Sequence, residues 1–233
     1  MSASPAEGEL ELEIGTVGIA FSGLYYGADT QYEGFPLAVI RYKDFYFEGL
    51  LAGYRLYRDQ RISVAIETIP TLYDYESGIS DFLDGMDDRK MAWETGLSVD
   101  YTLDRGKLSM KLVRDWQGIH DGWSLSAEYG ESLLMTERSL LIGYMGGEYL
   151  DPNKSDYYYG VRKDEARSWR PAYEVGGALA ASVGLSHIYR LGEKTTLMSN
   201  VDYKHFSTSI TDSPIVEKHY QLSAYAGILY KIH

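Results

Sequence analysis

Residues 217–233 read Glu-Lys-His-Tyr-Gln-Leu-Ser-Ala-Tyr-Ala-Gly-Ile-Leu-Tyr-Lys-Ile-His. The even positions after Lys218 are Tyr220, Leu222, Ala224, Ala226, Ile228, Tyr230 and Ile232. The odd positions are Glu217, His219, Gln221, Ser223, Tyr225, Gly227, Leu229 and Lys231. This is a period of two, which a strand sends to opposite faces and a helix mixes around its circumference. The stretch predicts a long amphipathic strand with one mostly apolar face and one mostly polar or small face.

The same alternation recurs upstream. Within Met91 to Leu103, Trp93, Leu97, Val99 and Tyr101 oppose Glu94, Gly96, Ser98 and Asp100. Leu108, Met110 and Leu112 oppose Lys107, Ser109 and Lys111, and Trp123, Leu125, Ala127 and Tyr129 oppose Ser124, Ser126 and Glu128. A break at Gly130 to Leu133 precedes a strand with Arg138, Leu140, Ile142 and Tyr144 on its apolar face. Tyr173 to Tyr189 and Thr195 to Ser207 alternate as well. Leu10 to Phe21 changes phase near Gly15 and Thr16, as a bulge would cause. Pro36 to Tyr57 stays strand-like throughout, interrupted only at Lys43 and Asp44. Nowhere does the pattern become helical.

Composition narrows the class. The chain has 233 residues, 45% hydrophobic and 14% aromatic, with 24 Gly, 22 Tyr and 6 Pro. That suits one all-β domain over residues 9–233 behind a flexible lead over residues 1–8. No cysteine is present, which excludes disulfides and thiolate metal sites. A formal charge of -12 disfavours nucleic acid, because phosphate binding needs clustered Lys and Arg. No apolar run reaches the length of a transmembrane helix. Met1 to Gly8 lacks the basic and apolar regions of a signal peptide and reads as the start left after a leader is removed.

Alternation alone leaves the apolar face free to point inward, as in a soluble barrel, or outward into lipid. Three features favour lipid. The polar faces combine charges with Gly, Ala and Ser, as a narrow lumen requires. Aromatics stand near strand ends, with Tyr173 and Tyr189, and Tyr220 and Tyr230, spaced as two interfacial girdles. Long loops alternate with tight turns, as in outer-membrane barrels. The expected fold is a closed antiparallel transmembrane β-barrel. Counting Pro36 to Tyr57 once gives ten strands, and reading Lys43 and Asp44 as a hairpin turn gives twelve.

The order of several short motifs then resembles the MipA/OmpV family of outer-membrane barrels. They are a Tyr/Gly loop and a Pro-led strand from Tyr25 to Tyr42, then Phe45 to Gly49, and a Gly118, His120, Asp121, Gly122 loop. Asp156 to Val161 follows, then Asp212 to Val216, then the closing strand to Ile232. One departure is His233, where barrels of this kind commonly end in an aromatic. The resemblance implies a bacterial outer-membrane location among lipid and lipopolysaccharide. It also implies a non-enzymatic scaffold role, bridging a murein-cleaving lytic transglycosylase and a bifunctional penicillin-binding protein.

The residues themselves offer further candidates. Glu94, Asp100, Lys107, Lys111, Glu128, Glu174, Arg190, Asp202 and Lys204 share the lumen phase, and they either pair across a filled interior or line a small pore. His205 and Ser207 resemble the His-x-Ser pair of outer-membrane lipid A deacylases, but Glu217 lies on the opposite phase and is poorly placed to orient the His. The acidic stretch with Asp74, Glu76, Asp81, Asp84, Asp87 and Asp88 does not fit an EF-hand and reads as a solvated loop. The five His residues show no metal-ligand spacing, so neither a metal nor another cofactor is expected.

Overall fold

A computed structural model describes residues 10–233. The expected flexible lead over residues 1–8 lies outside them. Twelve strands close into an antiparallel barrel in which each pairs with its neighbours in sequence and the last pairs with the first. In chain order they are β1 (Glu11–Phe21), β2 (Gln31–Tyr42), β3 (Phe45–Glu48), β4 (Leu51–Arg58), β5 (Ile62–Pro70) and β6 (Trp93–Thr102). The second half comprises β7 (Gly106–Asp115), β8 (Trp123–Met135), β9 (Ser139–Leu150), β10 (Ala178–Arg190), β11 (Thr195–Phe206) and β12 (Tyr220–Lys231).

Closure follows from backbone chemistry. In hydrocarbon each unpaired N–H or C=O costs several kcal/mol, so the last strand of a spanning sheet must pair with the first. The seam runs from Glu13 opposite Lys231 to Phe21 opposite Ser223. Along β12 the apolar phase faces outward, with Leu222, Ile228 and Tyr230 exposed, while Leu229 is buried inside. Leu97, Leu112, Val183, Leu185 and Val201 continue this exposed apolar belt around the barrel.

Twelve is the alternative count, and the ten-strand reading is corrected by two tight turns within Pro36 to Tyr57. Lys43 and Asp44 join β2 to β3, and Gly49 and Leu50 join β3 to β4. Lys43 has φ +53° and Gly49 φ +68°, the left-handed backbone that reverses a chain. Aromatic and apolar residues run up to both turns, so hydropathy gives no break. Adding two strands preserves the even number and the sidedness of every loop.

Three other expectations change. The register of β1 against both neighbours is continuous, so there is no bulge at Gly15. Val17 and Ile19 instead line the interior. A Cβ on Gly15 would lie 1.8 Å from the Ile228 carbonyl oxygen, so the crossing there requires glycine. The break expected at Gly130 to Leu133 lies inside β8, where the ladder slips between Ser132 and Leu134. The actual turn is Thr136 to Arg138, where Thr136 Oγ1 accepts the Ser139 N–H at 2.9 Å. Helix does occur, as α1 (Pro152–Tyr159) and α2 (Thr208–Thr211), both in long connections.

Candidate functional site

The long connections all leave the same end of the barrel, extracellular in barrels of this class. Two of them, residues 71–92 and 151–177, build a buried cluster containing Tyr75, Leu83, Tyr158, Tyr159 and Val175. Leu150, Phe206 and Ile210 join it from the strand ends and the β11–β12 connection. The result is a globular-type core set over the barrel mouth.

Helix α1 forms where Asp151 and Pro152 begin it. The Asp151 carboxylate accepts the Lys154 N–H at 3.0 Å, and proline at the first helical position loses no needed donor. The same oxygen accepts the Trp123 N–H at 2.9 Å, which ties the helix start to β8. This cap places the Lys154 side chain inside the barrel, with the residue only 1% exposed. Its ammonium donates to Glu94 Oε2 at 2.9 Å, Ser124 Oγ at 2.9 Å and Glu148 Oε1 at 3.4 Å. Tyr73 donates to Glu148 Oε2 at 2.6 Å and accepts from Lys204 Nζ at 2.9 Å. Two carboxylates and two ammonium groups thus balance, Lys154 and Glu94 buried and Glu148 and Lys204 partly exposed, and pairing is the condition under which buried charge is tolerable.

His120 completes this network. Asp115 accepts four backbone N–H groups, those of Gln117, Gly118, His120 and Asp121, and so shapes the loop. The His120 Nδ1 atom accepts the Gly122 N–H at 3.0 Å, so a neutral ring carries its proton on Nε2. That nitrogen faces Glu94 Oε1 at 3.4 Å.

A second ion pair locks the two long connections together. Arg89 grips Glu165 with two bonds of 2.9 and 2.7 Å, and both residues are almost fully buried. Arg89 also donates to the Tyr157 carbonyl at 2.6 Å, and Arg170 donates to the Phe82 and Glu165 carbonyls. Burial alone raises the Glu165 carboxyl, but the Arg89 guanidinium and the Arg162 and Asp87 N–H groups outweigh it and hold it at about 2.

Of the charges read from the sequence as lumen residues, Glu94 and Lys204 enter the network above. Asp100 pairs with Lys107 at 3.1 Å, and Lys111 pairs with Glu67 at 2.7 Å. Asp202 accepts from Tyr144 at 3.1 Å. Leu140, Ile142 and Tyr144, expected on the apolar face, share the interior phase of β9 with Glu148, while Met145 on the other phase is exposed. Glu128 lies on the interior phase of β8 opposite Ser109. Arg190 is exposed at the last position of β10. Glu174 is corrected: it is exposed in the β9–β10 connection and is not on a strand. Tyr173 is in that connection too, donating to the Ser209 carbonyl at 3.1 Å, so it is not a strand-end girdle residue. Tyr220 stacks on Tyr203, Tyr230 is exposed near the opposite end of β12, and Tyr189 lies at the short-turn end of β10.

His205 and Ser207 are not brought into a catalytic pair. Ser207 Oγ accepts the Leu179 N–H at 3.1 Å, and Glu217 accepts the Gly27 N–H at 3.3 Å. In the acidic stretch, Asp88 caps Ser77 and Asp87 pairs with Arg162. Among the described residues, no group of three His, Asp or Glu side chains is placed to hold a metal ion. Lys154, Arg89, Glu165 and Arg170 belong to no strand and to no motif in the sequence, and the Asp151-Pro152 cap is the local signal for α1.

The family model described as MltA-interacting protein MipA matches residues 14–232. The MltA-interacting protein of Escherichia coli K12 is 29% identical over 97% of this chain and 91% of its own length. The outer membrane protein OmpV of Vibrio cholerae is 27% identical over 68% of this chain and 60% of its own length. Among solved structures, the KdgM porin aligns with a TM-score of 0.44 at 8% identity, covering 97% of this chain and 100% of its own.

Proposed function

Because the chain belongs to the MltA-interacting protein family and resides in the outer membrane, we propose that it serves as a docking barrel. In this reading it holds a lytic transglycosylase, and with it a penicillin-binding protein, at the inner face of the membrane. The Escherichia coli relative is named for an interaction of the first kind. The observation that supports the reading is the cluster inside the barrel mouth in which Lys154 is bonded to both Glu94 and Glu148, which we read as a plug. A barrel filled this way suits a structural role better than free diffusion. Its outer belt is in contact with membrane lipid and, at the loop end, lipopolysaccharide.

The partner would meet the short-turn rim. Each turn offers little surface, but together they present a ring of charges, including Arg61, Asp104, Arg105, Glu137 and Arg138. Mild cross-linking of cell envelopes followed by purification of the barrel tests this. A lytic transglycosylase should be recovered, and Arg61→Glu with Arg105→Glu and Arg138→Glu should lose it while the barrel stays folded. Recovery of no murein enzyme overturns the reading.

The second reading is a narrow pore for ions or small solutes, favoured by the mixed charges Asp100, Lys107, Lys111 and Glu67 below the plug. Steady conductance of the intact protein in planar bilayers would move it ahead.

A further inference from the structure

The barrel wall is not equally tall all round. Strand β2 pairs with β1 from Gln31 to Arg41 but with β3 only from Val39 to Tyr42. One more bond, from the Gly49 N–H to the Ala38 carbonyl, ends that contact. Backbone direction alternates along a strand, so Tyr32, Gly34 and Pro36 aim their backbone groups the same way as Ala38, where no strand stands. The sequence suits a free edge at these positions. Pro36 has no N–H to leave unpaired, Gly34 has no side chain, and Tyr32 is 78% exposed. With only four residues, β3 rises about 13 Å, well short of the roughly 25 Å apolar band.

Behind this notch lies a cavity of about 270 Å³ lined by Phe35, Leu50, Leu72, Tyr73 and Met91. A second cavity, of about 390 Å³, lies deeper in the lumen against Val17, Ile19, Leu37 and Met198. Both have Phe35 and Leu50 in their walls, so these two side chains stand between notch and interior. The deeper space falls in the size range of small-molecule sites. Most of its lining is apolar, and the charges that reach it, Arg41 and Glu48, are paired with each other at 2.7 Å, with Glu13 beside them. Glu33 and Asp74 stand at the outer cavity, and neither is in an ion pair among the described residues.

We propose that the notch is a lateral entrance from the outer leaflet to a binding site for a single-chain cationic amphiphile. The alkyl tail passes Phe35 and Leu50 into the deeper cavity, removing apolar surface from contact with water. The cationic head stays at Glu33 and Asp74, and its hydrogen atoms meet the free carbonyls of Tyr32, Gly34 and Pro36. This site is separate from the docking rim, and neither reading depends on the other.

Photolabelling of the full chain in phospholipid vesicles tests the proposal, using dodecylamine with a diazirine at the tail end. Adducts are expected on residues around the deeper cavity, chiefly Leu37 and Met198. Leu50 is an exposed turn residue, so Leu50→Trp should fold and should abolish those adducts by blocking the passage. Glu33→Gln with Asp74→Asn should weaken labelling by the amine but not by the matching dodecanol probe. Adducts confined to the outer belt at Leu97, Leu185 and Val201, or cavity adducts that survive Leu50→Trp, overturn the entrance. Equal amine labelling of the double variant overturns the cationic preference.

Discussion

Lys154 concentrates the consequences of burying charge. Its ammonium is out of water and satisfied by Glu94, Glu148 and Ser124. Truncation to Lys154→Met leaves the buried Glu94 carboxylate without its ammonium partner and Glu148 with Lys204 alone. Breaking a buried pair in this way costs about 3–5 kcal/mol. Denaturant unfolding in micelles should register that loss, and adding Glu94→Gln should recover part of it because less charge is left uncompensated. A Lys154→Met protein as stable as the parent would mean that water reaches the network. Gly184 makes a steric point of the same kind. The Tyr144 ring covers it so closely that a Cβ there would lie 2.3 Å from the phenol. Gly184→Val should therefore push Tyr144 away from Asn200 and Asp202 and lower stability, and Tyr144→Ala on that background should recover only part of the loss, because the Val201 carbonyl also lies 2.7 Å from the added Cβ. None of these residues was legible as a partner in the sequence, because each contact joins positions far apart in the chain. Parity placed Glu94 and Asp202 on the interior phase, but Lys154 belongs to no strand and carried no phase at all.

At the scale of elements, strands were readable wherever one face met lipid and the other met charge or glycine. Met91 to Leu103 and the β12 stretch announce themselves through a period of two. Strand β3 does not, because four residues between two tight turns hold too little alternation to separate it from its neighbours. Helix α1 is hidden for a different reason. Buried on several sides, Pro152 to Tyr159 has no apolar stripe, and its polar Lys154 and Ser155 are as enclosed as Tyr158 and Tyr159. The shared core, the Tyr157 and Tyr158 hydroxyls on the Lys90 backbone and the Arg89–Glu165 pair together hold α1 and its flanking chain against residues 71–92, and the pair predicts a pH dependence. Glu165 titrates at about 2 in the fold against an ordinary 4.5, so its contribution is complete above 4.5 and lost as pH falls toward 2. Hydrogen exchange in residues 71–92 and 151–177 should stay slow at pH 5 and accelerate as the pH approaches 2, with the strands still protected. In Glu165→Gln the same segments should already exchange faster at pH 7. Acceleration of the parent between pH 6 and 5 would rule out Glu165 as the group responsible. The last strand behaves differently, since deleting residues 217–233 removes the partner of β1 and opens the cylinder. That truncated chain should fail to reach a folded form in micelles, rather than lose only part of its stability.

The whole molecule poses a question of fill. Eight strands enclose a space that side chains can occupy, and sixteen enclose a water-filled channel. Twelve lie between these limits, so strand side chains alone leave room, and this chain fills the mouth with a segment folded in from its loops. Had the barrel ten strands, such a segment would be harder to house. The plug is thus tied to the two extra strands in β2 to β4 that hydropathy concealed. Replacing residues 152–175 with a short Gly-Ser linker should uncover the passage while leaving every strand in place. The parent should give no steady current in planar bilayers, and the linker variant should conduct. Its selectivity should favour cations, because Glu94 and Glu148 remain in the wall after Lys154 is gone, with Lys204 alone to offset them. Substituting Glu94→Gln and Glu148→Gln in the linker variant should then erase that preference without closing the passage. A parent that conducts as well as the variant would show that the plug does not obstruct the lumen, and the docking reading would lose the observation on which it stands.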